Sequence, residues 1–134
     1  MTDKQPLTGQ VALVTASSKG IGKACALALA ESGADIILGL RQLSTGQGLV
    51  KQIQKLGREV LPVQMDVSKM DEISAAVQAG FKHFKRIDIL VNNAGIGAPN
   101  PAERVTEKDF DDTLNVNLKG TFFTSQAEIG RAHV

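Results

Sequence analysis

The segment that decides the fold reads Val11-Ala12-Leu13-Val14-Thr15 and continues as Ala16-Ser17-Ser18-Lys19-Gly20-Ile21-Gly22. Its first five residues form a continuous apolar run and do not alternate between apolar and polar residues, which is typical of a strand covered on both faces. The glycines that follow open an Ala- and Leu-rich helix that extends to Ala30. Ser32-Gly33 closes this helix, because glycine readily adopts the left-handed capping conformation. The segment therefore predicts a buried strand that turns directly into a helix.

Strands and helices alternate in the same way along the rest of the chain. Further strands are predicted at residues 35–40, 59–65 and 87–91. The last helix is predicted to run to the end of the sequence. Candidate caps for the later helices are Ser44 or Thr45, Ser68 with Asp71, and Thr106 with Asp109. The order β-α-β-α-β-α-β-α predicts an α/β fold, a Rossmann-like doubly wound parallel sheet with strand order 3-2-1-4.

The fourth strand is predicted to be an edge of this sheet. Its sequence, residues 87–91, is too apolar to face water comfortably, so the sheet is expected to continue beyond it. We therefore interpret residues 1–134 as a single Rossmann domain that is incomplete at its C-terminus, truncated after the fourth strand and its following helix.

The composition argues against several functional classes. The 134 residues carry 15 Lys and Arg against 14 Asp and Glu, and no basic cluster is interleaved with aromatics, so no nucleic-acid partner is expected. The longest apolar run spans residues 24–30 and the first four residues lack a signal-peptide pattern, which predicts a cytoplasmic protein without a membrane partner. A single cysteine, Cys25, and two distant histidines, His83 and His133, cannot form a four-ligand zinc site, so no metal is expected.

The glycine-containing segment is a candidate phosphate site. It joins a buried strand to a helix N-terminus, where backbone N–H groups and the helix dipole can receive a pyrophosphate. A simple tight turn between strand and helix explains two glycines about equally well. The segment matches neither GxGxxG nor GxxxxGK[ST], the spacings of the common dinucleotide fingerprint and of P-loop proteins.

Polar residues follow two other strands, at the sheet edge where ligands bind in open α/β folds. Asn92-Asn93-Ala94-Gly95 follows the fourth strand, although turn chemistry alone also favours Asn and Gly there. Asp66-Val67 ends the third strand, and this carboxylate either accepts a hydrogen bond from an adenine amino group or caps a turn.

Asn117 is the candidate functional residue of the last helix. It lies seven residues after Phe110 and three after Leu114, on the face that is predicted to pack inward. A buried amide needs hydrogen-bond partners, so a purely structural role is the alternative.

These four segments together resemble the amino-terminal half of the short-chain dehydrogenase/reductase family, over roughly residues 7 to 130. Residues 15–22 resemble the family's TGxxxGxG, with Ala16 in place of the first glycine; alanine fits there if its φ stays negative. Asp66 matches the family's adenine-contacting Asp, and residues 92–95 match its NNAG motif without change. Asn117-Leu118-Lys119-Gly120 matches the N-L-x-G context of its catalytic Asn.

The resemblance implies hydride transfer between a nicotinamide cofactor and an alcohol or carbonyl substrate, with Asn117 as a catalytic residue. The cofactor site that it implies consists of Thr15, Ser17, Ser18, Lys19, Gly20, Ile21, Gly22, Arg41, Asp66, Val67, Asn93, Ala94 and Gly95. In dinucleotide-binding folds an acidic residue about 20 residues past the glycines binds the ribose 2′-hydroxyl of NAD. Leu40 stands at that place and Arg41 follows it, so Arg41 and Lys19 together favour NADP over NAD.

The family's YxxxK motif is missing, because the sequence contains no tyrosine. We therefore interpret the chain as an N-terminal fragment of an NADP-dependent oxidoreductase, inactive by itself, whose parent is a homo-oligomer. Sugar-alcohol or 3-oxoacyl substrates are favoured. The alternative is a non-catalytic nucleotide-binding or interaction module, which the retained Asn117 and the unprotected fourth strand disfavour.

Overall fold

The computed structural model describes residues 5–97 and 99–132 of the chain. Its strands are β1 (Val11–Val14), β2 (Asp35–Leu40), β3 (Val60–Gln64) and β4 (Ile89–Val91). Its α-helices are α1 (Gly20–Glu31), α2 (Gln47–Lys55), α3 (Met70–Phe84), α4 (Glu107–Leu114) and α5 (Thr121–Ala132). Two short 3₁₀ turns lie at Leu43–Gly46 and Ala102–Arg104, and a π-helical segment, Asn115–Gly120, joins α4 to α5. His133 and the last residue of the predicted terminal helix lie outside the described residues.

The four strands form one parallel sheet in the order β3-β2-β1-β4, which confirms the predicted order and the doubly wound class. In the register of the sheet, Leu13 lies between Ile37 and Leu90. All four carboxyl ends therefore meet at one edge. Within the described residues β4 pairs only with β1, so it is an edge strand as predicted.

The core consists of two apolar layers, one on each face of the sheet. On one face Leu13 and Ile37 pack in a cluster with Ile73 and Val77 of α3. On the other face Val14, Ile36 and Leu38 pack with residues of α1 and α2, among them Ala26, Ala30 and Ile53. Neighbouring residues of β1 belong to opposite layers because side chains alternate along a strand. This two-sided burial explains why the strands are continuously apolar.

The second strand has its predicted bounds, but the other three strands are shorter than predicted, most of all the fourth. Residues 87 and 88 fall outside β4, because Asp88 uses its side chain as well as its backbone to pair with β1. Asp88 Oδ2 accepts the Val11 N–H at 2.8 Å, and the Asp88 N–H donates to the Val11 carbonyl at 2.8 Å. A carboxylate has replaced one backbone carbonyl at the start of this strand pair. Thr15 follows β1, and β3 loses one predicted residue at each end.

Only one of the three predicted helix caps is present. Thr106 and Asp109 form the expected reciprocal capping box at the start of α4. The Ser68–Asp71 cap is wrong, because Ser68 Oγ donates instead to Asp66 Oδ1 at 2.6 Å and α3 begins after an uncapped Lys69. The Ser44 or Thr45 cap is also wrong, because these residues lie inside the 3₁₀ turn and Thr45 Oγ1 donates to a backbone carbonyl.

The last helix, predicted to be continuous, is interrupted by the π-helical segment Asn115–Gly120. Its last residue, Gly120, is buried, and a Cβ added there would lie 2.7 Å from the Val67 carbonyl oxygen. The inward packing predicted for the Asn117 face is wrong for its apolar members. Phe110 is 57% exposed and Leu114 is 40% exposed, because α4 makes only sparse contacts with the sheet and the other α-helices within the described part of the chain.

Candidate active site and cofactor cleft

A cleft of about 650 Å³ opens at the carboxyl ends of the four strands. Its lining includes ten of the thirteen predicted cofactor residues: Ser18, Lys19, Gly20, Ile21, Arg41, Asp66, Val67, Asn93, Ala94 and Gly95. The volume lies in the range of small-molecule sites, and its place at the switch in strand order is where open α/β sheets bind ligands. The topology therefore brings segments far apart in the sequence to one concave surface.

The N-terminus of α1 faces this cleft without a cap. Lys19 precedes the helix in an extended conformation with no side-chain capping bond, and the first turn contains no acidic residue. The first N–H groups of a helix have no partner within it, and the helix dipole adds partial positive charge. Ile21 in this turn is 75% exposed although it is apolar. This end of the cleft suits an anionic ligand that also covers an apolar side chain.

Ala16 does not meet the condition of a negative φ under which alanine would fit the motif without strain. Its φ is +51°, which places an L-residue in the left-handed region. The turn requires this conformation whether glycine or alanine occupies the position, so the substitution for glycine stores strain in the loop.

Thr15, Ser17 and Gly22, the other three predicted cofactor residues, lie behind the cleft surface and are buried. Thr15 Oγ1 accepts the N–H groups of Asn93 at 3.0 Å and Ala94 at 3.1 Å, and donates weakly to the Val91 carbonyl at 3.4 Å. Ser17 Oγ donates to the Gly39 carbonyl at 3.3 Å. These hydroxyl groups fix the loops that line the cleft.

Asn93 connects the end of β4 to the glycine-containing loop. Its Nδ2 donates to the Ala16 carbonyl at 3.1 Å. A Cβ added at Gly22 would lie 2.5 Å from this Nδ2 atom and would also clash with the Ala16 carbonyl. Gly22 is therefore required for the close approach of α1 to β4, and Asn93 holds the turn that contains Ala16.

Two cations, Lys19 and Arg41, line the cleft on neighbouring loops. Neither side chain forms an ion pair or hydrogen bond among residues 5–97 and 99–132. Leu40, at the end of β2, is buried, so no carboxylate stands at the place where NAD-binding folds use one. These two cations, with no carboxylate at the end of β2, favour an additional anionic group on the ligand.

Asp66 both lines the cleft and caps a turn. Its Oδ1 accepts the Ser68 N–H at 3.0 Å and the Ser68 hydroxyl at 2.6 Å. Burial raises the pKa of Asp66, but the hydrogen bonds from Ser68 and the charges of Lys69 and Arg41 outweigh it, so the pKa lies below its ordinary value. The carboxylate is thus ionised at neutral pH and held in one orientation.

Asn117 lies at the other end of the site, next to the cleft wall. Its Oδ1 accepts the Ile96 N–H at 2.8 Å, and its Nδ2 donates to the Ile96 carbonyl at 2.7 Å. This reciprocal pair satisfies the amide and fixes Ile96, which lines the cleft. The predicted need for partners is met by the backbone of Ile96, but the predicted inward position is wrong for Asn117 too, because its side chain is exposed.

Six lining residues were missing from the predicted site, and the sequence carried little signal for them. They are Ala16, Gln42, Thr45, Met65, Ile96 and Val116. Ala16 belongs to the glycine-containing segment and was recognised only as a departure from the motif. No group of three or more metal-ligating side chains occurs in the described parts of the chain. None of the helices there is long and apolar enough to cross a membrane.

The sequence matches proteins of a known family. The family model described as short chain dehydrogenase matches residues 10–130. The chain belongs to the short-chain dehydrogenase/reductase family. This membership confirms the resemblance in the sequence.

The relatives of this short-chain dehydrogenase chain differ in what they act on. It is 41% identical to 2-dehydro-3-deoxy-D-gluconate 5-dehydrogenase of Escherichia coli and 41% identical to 3-oxoacyl-[acyl-carrier-protein] reductase of Synechocystis. It is 39% identical to a hydroxynaphthalene reductase-like protein of Metarhizium robertsii. Each match covers 90% of this chain, and 47%, 49% and 45% of the three relatives respectively. The chain therefore spans about half the length of these relatives.

A solved short-chain dehydrogenase has the same fold over nearly the whole chain. The structure of 7α-hydroxysteroid dehydrogenase in complex with NADH and 7-oxo-glycochenodeoxycholic acid superposes with a TM-score of 0.90 at 30% identity. The match covers 96% of this chain and 50% of the steroid dehydrogenase. The sheet order and the helices around it are thus those of the family.

Proposed function

We propose that this chain is the cofactor-binding part of an NADP-dependent short-chain dehydrogenase, with residues 1–134 forming a partial Rossmann domain. The observation that carries the proposal is the pair of cations, Lys19 and Arg41, that line a cleft where the buried Leu40, and not a carboxylate, ends β2. The cofactor, when bound, would accept or supply a hydride at its nicotinamide ring.

The residues present fit such a cofactor. The uncapped N-terminus of α1 would hold the pyrophosphate, because its free N–H groups and dipole favour anions. Asp66 would accept a hydrogen bond from the adenine amino group, and Asn93, Ala94 and Gly95 would form the opposite wall. Thr15, Ser17 and Gly22 would act indirectly, by fixing the loops on which these groups stand.

Preference for NADP would come from the extra phosphate on the ribose. A carboxylate at this corner would repel a 2′-phosphate, whereas Arg41 and Lys19 would attract it. A hydrogen bond to a charged group contributes about 1.5–3 kcal/mol, so one good contact corresponds to about 10- to 150-fold in affinity. The steroid dehydrogenase structure contains NADH, so the preference for NADP is proposed from Arg41 and Lys19 and not from family membership.

Asn117 is the proposed catalytic residue of the chain. Its amide is held in one orientation by both backbone groups of Ile96. In the family role that the resemblance implies, this Asn supports a proton relay through a water and a lysine. The fixed amide suits that role because a relay needs groups whose orientation does not change between turnovers.

The substrate is an alcohol or carbonyl compound, and we propose the sugar-alcohol or 3-oxoacyl type. The support is that two relatives at 41% identity are a gluconate-type dehydrogenase and a 3-oxoacyl reductase. The test measures the rate at which the whole gene product that carries residues 1–134 oxidises NADPH. This rate should rise when 3-oxoacyl thioesters or keto-sugars are added. Faster turnover of an aromatic ketone than of both classes would overturn it.

Residues 1–134 by themselves are proposed to be inactive, because they contain no tyrosine to serve as the family's general acid/base. Positioned acid–base groups contribute about 10²–10⁴ in rate.

Residues 1–134 by themselves are also expected to self-associate, because β4 is an unprotected edge and Leu118 and Phe122 are 65% and 59% exposed. The parent is proposed to be a homo-oligomer. Monomeric residues 1–134 that oxidise an alcohol at a normal enzyme rate would contradict this proposal.

The cofactor assignment is tested by binding. The dissociation constants for NADPH and NADH are measured by calorimetry with the whole gene product that carries residues 1–134. Lys19→Ala with Arg41→Ala should weaken NADPH binding at least 10-fold and leave NADH binding nearly unchanged. Lys51→Ala is the matched control, because Lys51 is an exposed cation of α2 that does not line the cleft. Tighter binding of NADH by the wild type, or an unchanged NADPH preference in the double variant, would refute the assignment.

A further inference from the structure

Gln64, the last residue of β3, forms a contact that no motif of the chain predicts. Its Nε2 donates to the backbone carbonyl of Arg41 at 2.6 Å and to Glu72 Oε1 at 3.1 Å. Both partners are oxygen acceptors, so only the amino end of the amide can face them. The side chain is therefore held at both hydrogen atoms of its amino group.

The contact lies just past the end of the β2–β3 ladder. Leu40 is paired with Gln64 in the register of the sheet, and the last backbone bond runs from the Met65 N–H to the Leu40 carbonyl at 2.7 Å. Arg41 lies beyond the end of β2 and is exposed. The Gln64 side chain donates to a carbonyl that regular pairing would direct away from β3, because only alternate residues of β2 face that strand. It thus orders the backbone of Arg41 just where the strand pairing ends.

Glu72 of α3 anchors this arrangement from the other side. Its Oε1 also accepts the Asp66 N–H at 2.9 Å, and its Oε2 lies 3.6 Å from Lys69 Nζ. The Asp66 N–H and the Gln64 amide lower the pKa of Glu72, so it is charged at neutral pH. One carboxylate therefore connects Gln64, and through it Arg41, to the loop that carries Asp66.

We propose that Gln64 is a positioning residue for Arg41 and thereby contributes to the preference for a cofactor with a 2′-phosphate. The inference rests on the proposed function, in which Arg41 binds that phosphate. Gln64 itself does not line the cleft. Glu72 keeps its bond from the Asp66 N–H when the Gln64 amide is removed, so the effect is expected through Arg41 and on ligands that carry the 2′-phosphate.

The test is a double-mutant cycle in the whole gene product, with adenosine 2′,5′-bisphosphate and 5′-AMP as calorimetric probes. Gln64→Met keeps the length of the side chain and removes the donor. Loss of one net hydrogen bond corresponds to about 2- to 10-fold, so the bisphosphate should bind that much more weakly while 5′-AMP is unaffected. In the Arg41→Ala background, Gln64→Met should have no further effect, because the residue through which it acts is gone.

Gln78→Met is the matched control, since Gln78 is an exposed glutamine of α3 that does not line the cleft. It should leave the affinity for both probes unchanged. Three results would each overturn the inference. Gln64→Met could weaken the binding of both probes equally, it could leave the binding of the bisphosphate unchanged, or it could have the same effect with and without Arg41. If wild type binds both probes equally, the proposed NADP preference fails as well. Wild-type preference for the bisphosphate with no Gln64 effect overturns only the inference.

Discussion

The hydroxyl of Thr15 should contribute more to stability than its methyl group. Thr15 is 1% exposed, and its Oγ1 accepts two successive N–H groups, those of Asn93 and Ala94. The substitution Thr15→Val keeps the shape of the side chain and removes the hydroxyl. Thr15→Ser is the converse control, because it keeps the hydroxyl and removes the methyl group.

The size of the effect follows from which donors keep a partner. The Asn93 N–H also donates to the Val91 carbonyl at 3.1 Å, so it retains a bond in Thr15→Val. The Ala94 N–H, which is half-buried, loses the acceptor that Thr15 provides. An unsatisfied buried donor costs about 1–3 kcal/mol, so we expect a loss of about 2 kcal/mol in the free energy of unfolding. Thr15→Ser should cost about 1 kcal/mol, the value for one buried methyl group.

Urea unfolding of the whole gene product measures both losses, provided that the slope of the transition is unchanged. Hydrogen exchange supplies a local check, because the Ala94 amide should exchange faster in Thr15→Val than in wild type or Thr15→Ser. If Thr15→Val is as stable as wild type, or if Thr15→Ser is the more damaging change, the hydroxyl does not fix this loop and the reasoning fails.

Three further predictions concern the loop, the helix contact and the sheet. Ala16→Gly should raise the free energy of unfolding by about 0.5–1 kcal/mol, because relief of the left-handed strain exceeds the entropic cost of glycine; a lower urea midpoint would contradict this. Gly120→Ala should lower stability by about 1–3 kcal/mol and weaken NADPH and NADH binding equally, because its Cβ would displace backbone at Val67, which lines the cleft; selective loss of one cofactor would argue against it. Asp88 has a lowered pKa, chiefly through its hydrogen bond from Arg86, so its contribution is present above its unfolded-state pKa and is lost as the pH falls through the folded value. Urea midpoints between pH 2.5 and 7 should therefore fall less steeply at the acidic end for Asp88→Asn than for wild type, and parallel curves would exclude this contribution.

The strand order was predictable because its cause lies in the sequence. A strand buried on both faces must be continuously apolar, and β1 satisfies this condition over its whole length and β2 satisfies it after Asp35. The alternation with helices then restricts the topology to a few right-handed arrangements. The cleft residues at the strand ends followed from the same topology, since parallel strands end at one edge.

The helix caps and the left-handed residue were not predictable in this way. Ser68 has the right spacing for a capping box, but Asp66 lies close enough to take its hydroxyl, and the sequence does not rank the two acceptors. Ala16 was expected at negative φ because alanine disfavours the left-handed region. The turn between β1 and α1 overrides that preference, as tertiary constraints commonly do at functional sites.

The two ends of the cleft differ in how they are held, and this difference allows binding to be separated from chemistry. Arg41 and Asp66 are tied to two strands and a helix through Gln64 and Glu72, all within the described residues. Asn117 is tied to the cleft through the backbone of Ile96, on a loop that follows an edge strand. A probe that contains only the adenosine half of the cofactor therefore reports on the first end and is insensitive to the second. Substitution of Asn117 should consequently reduce turnover without changing the affinity for adenosine 2′,5′-bisphosphate, and a parallel loss of both would mean that the two ends are coupled through the sheet.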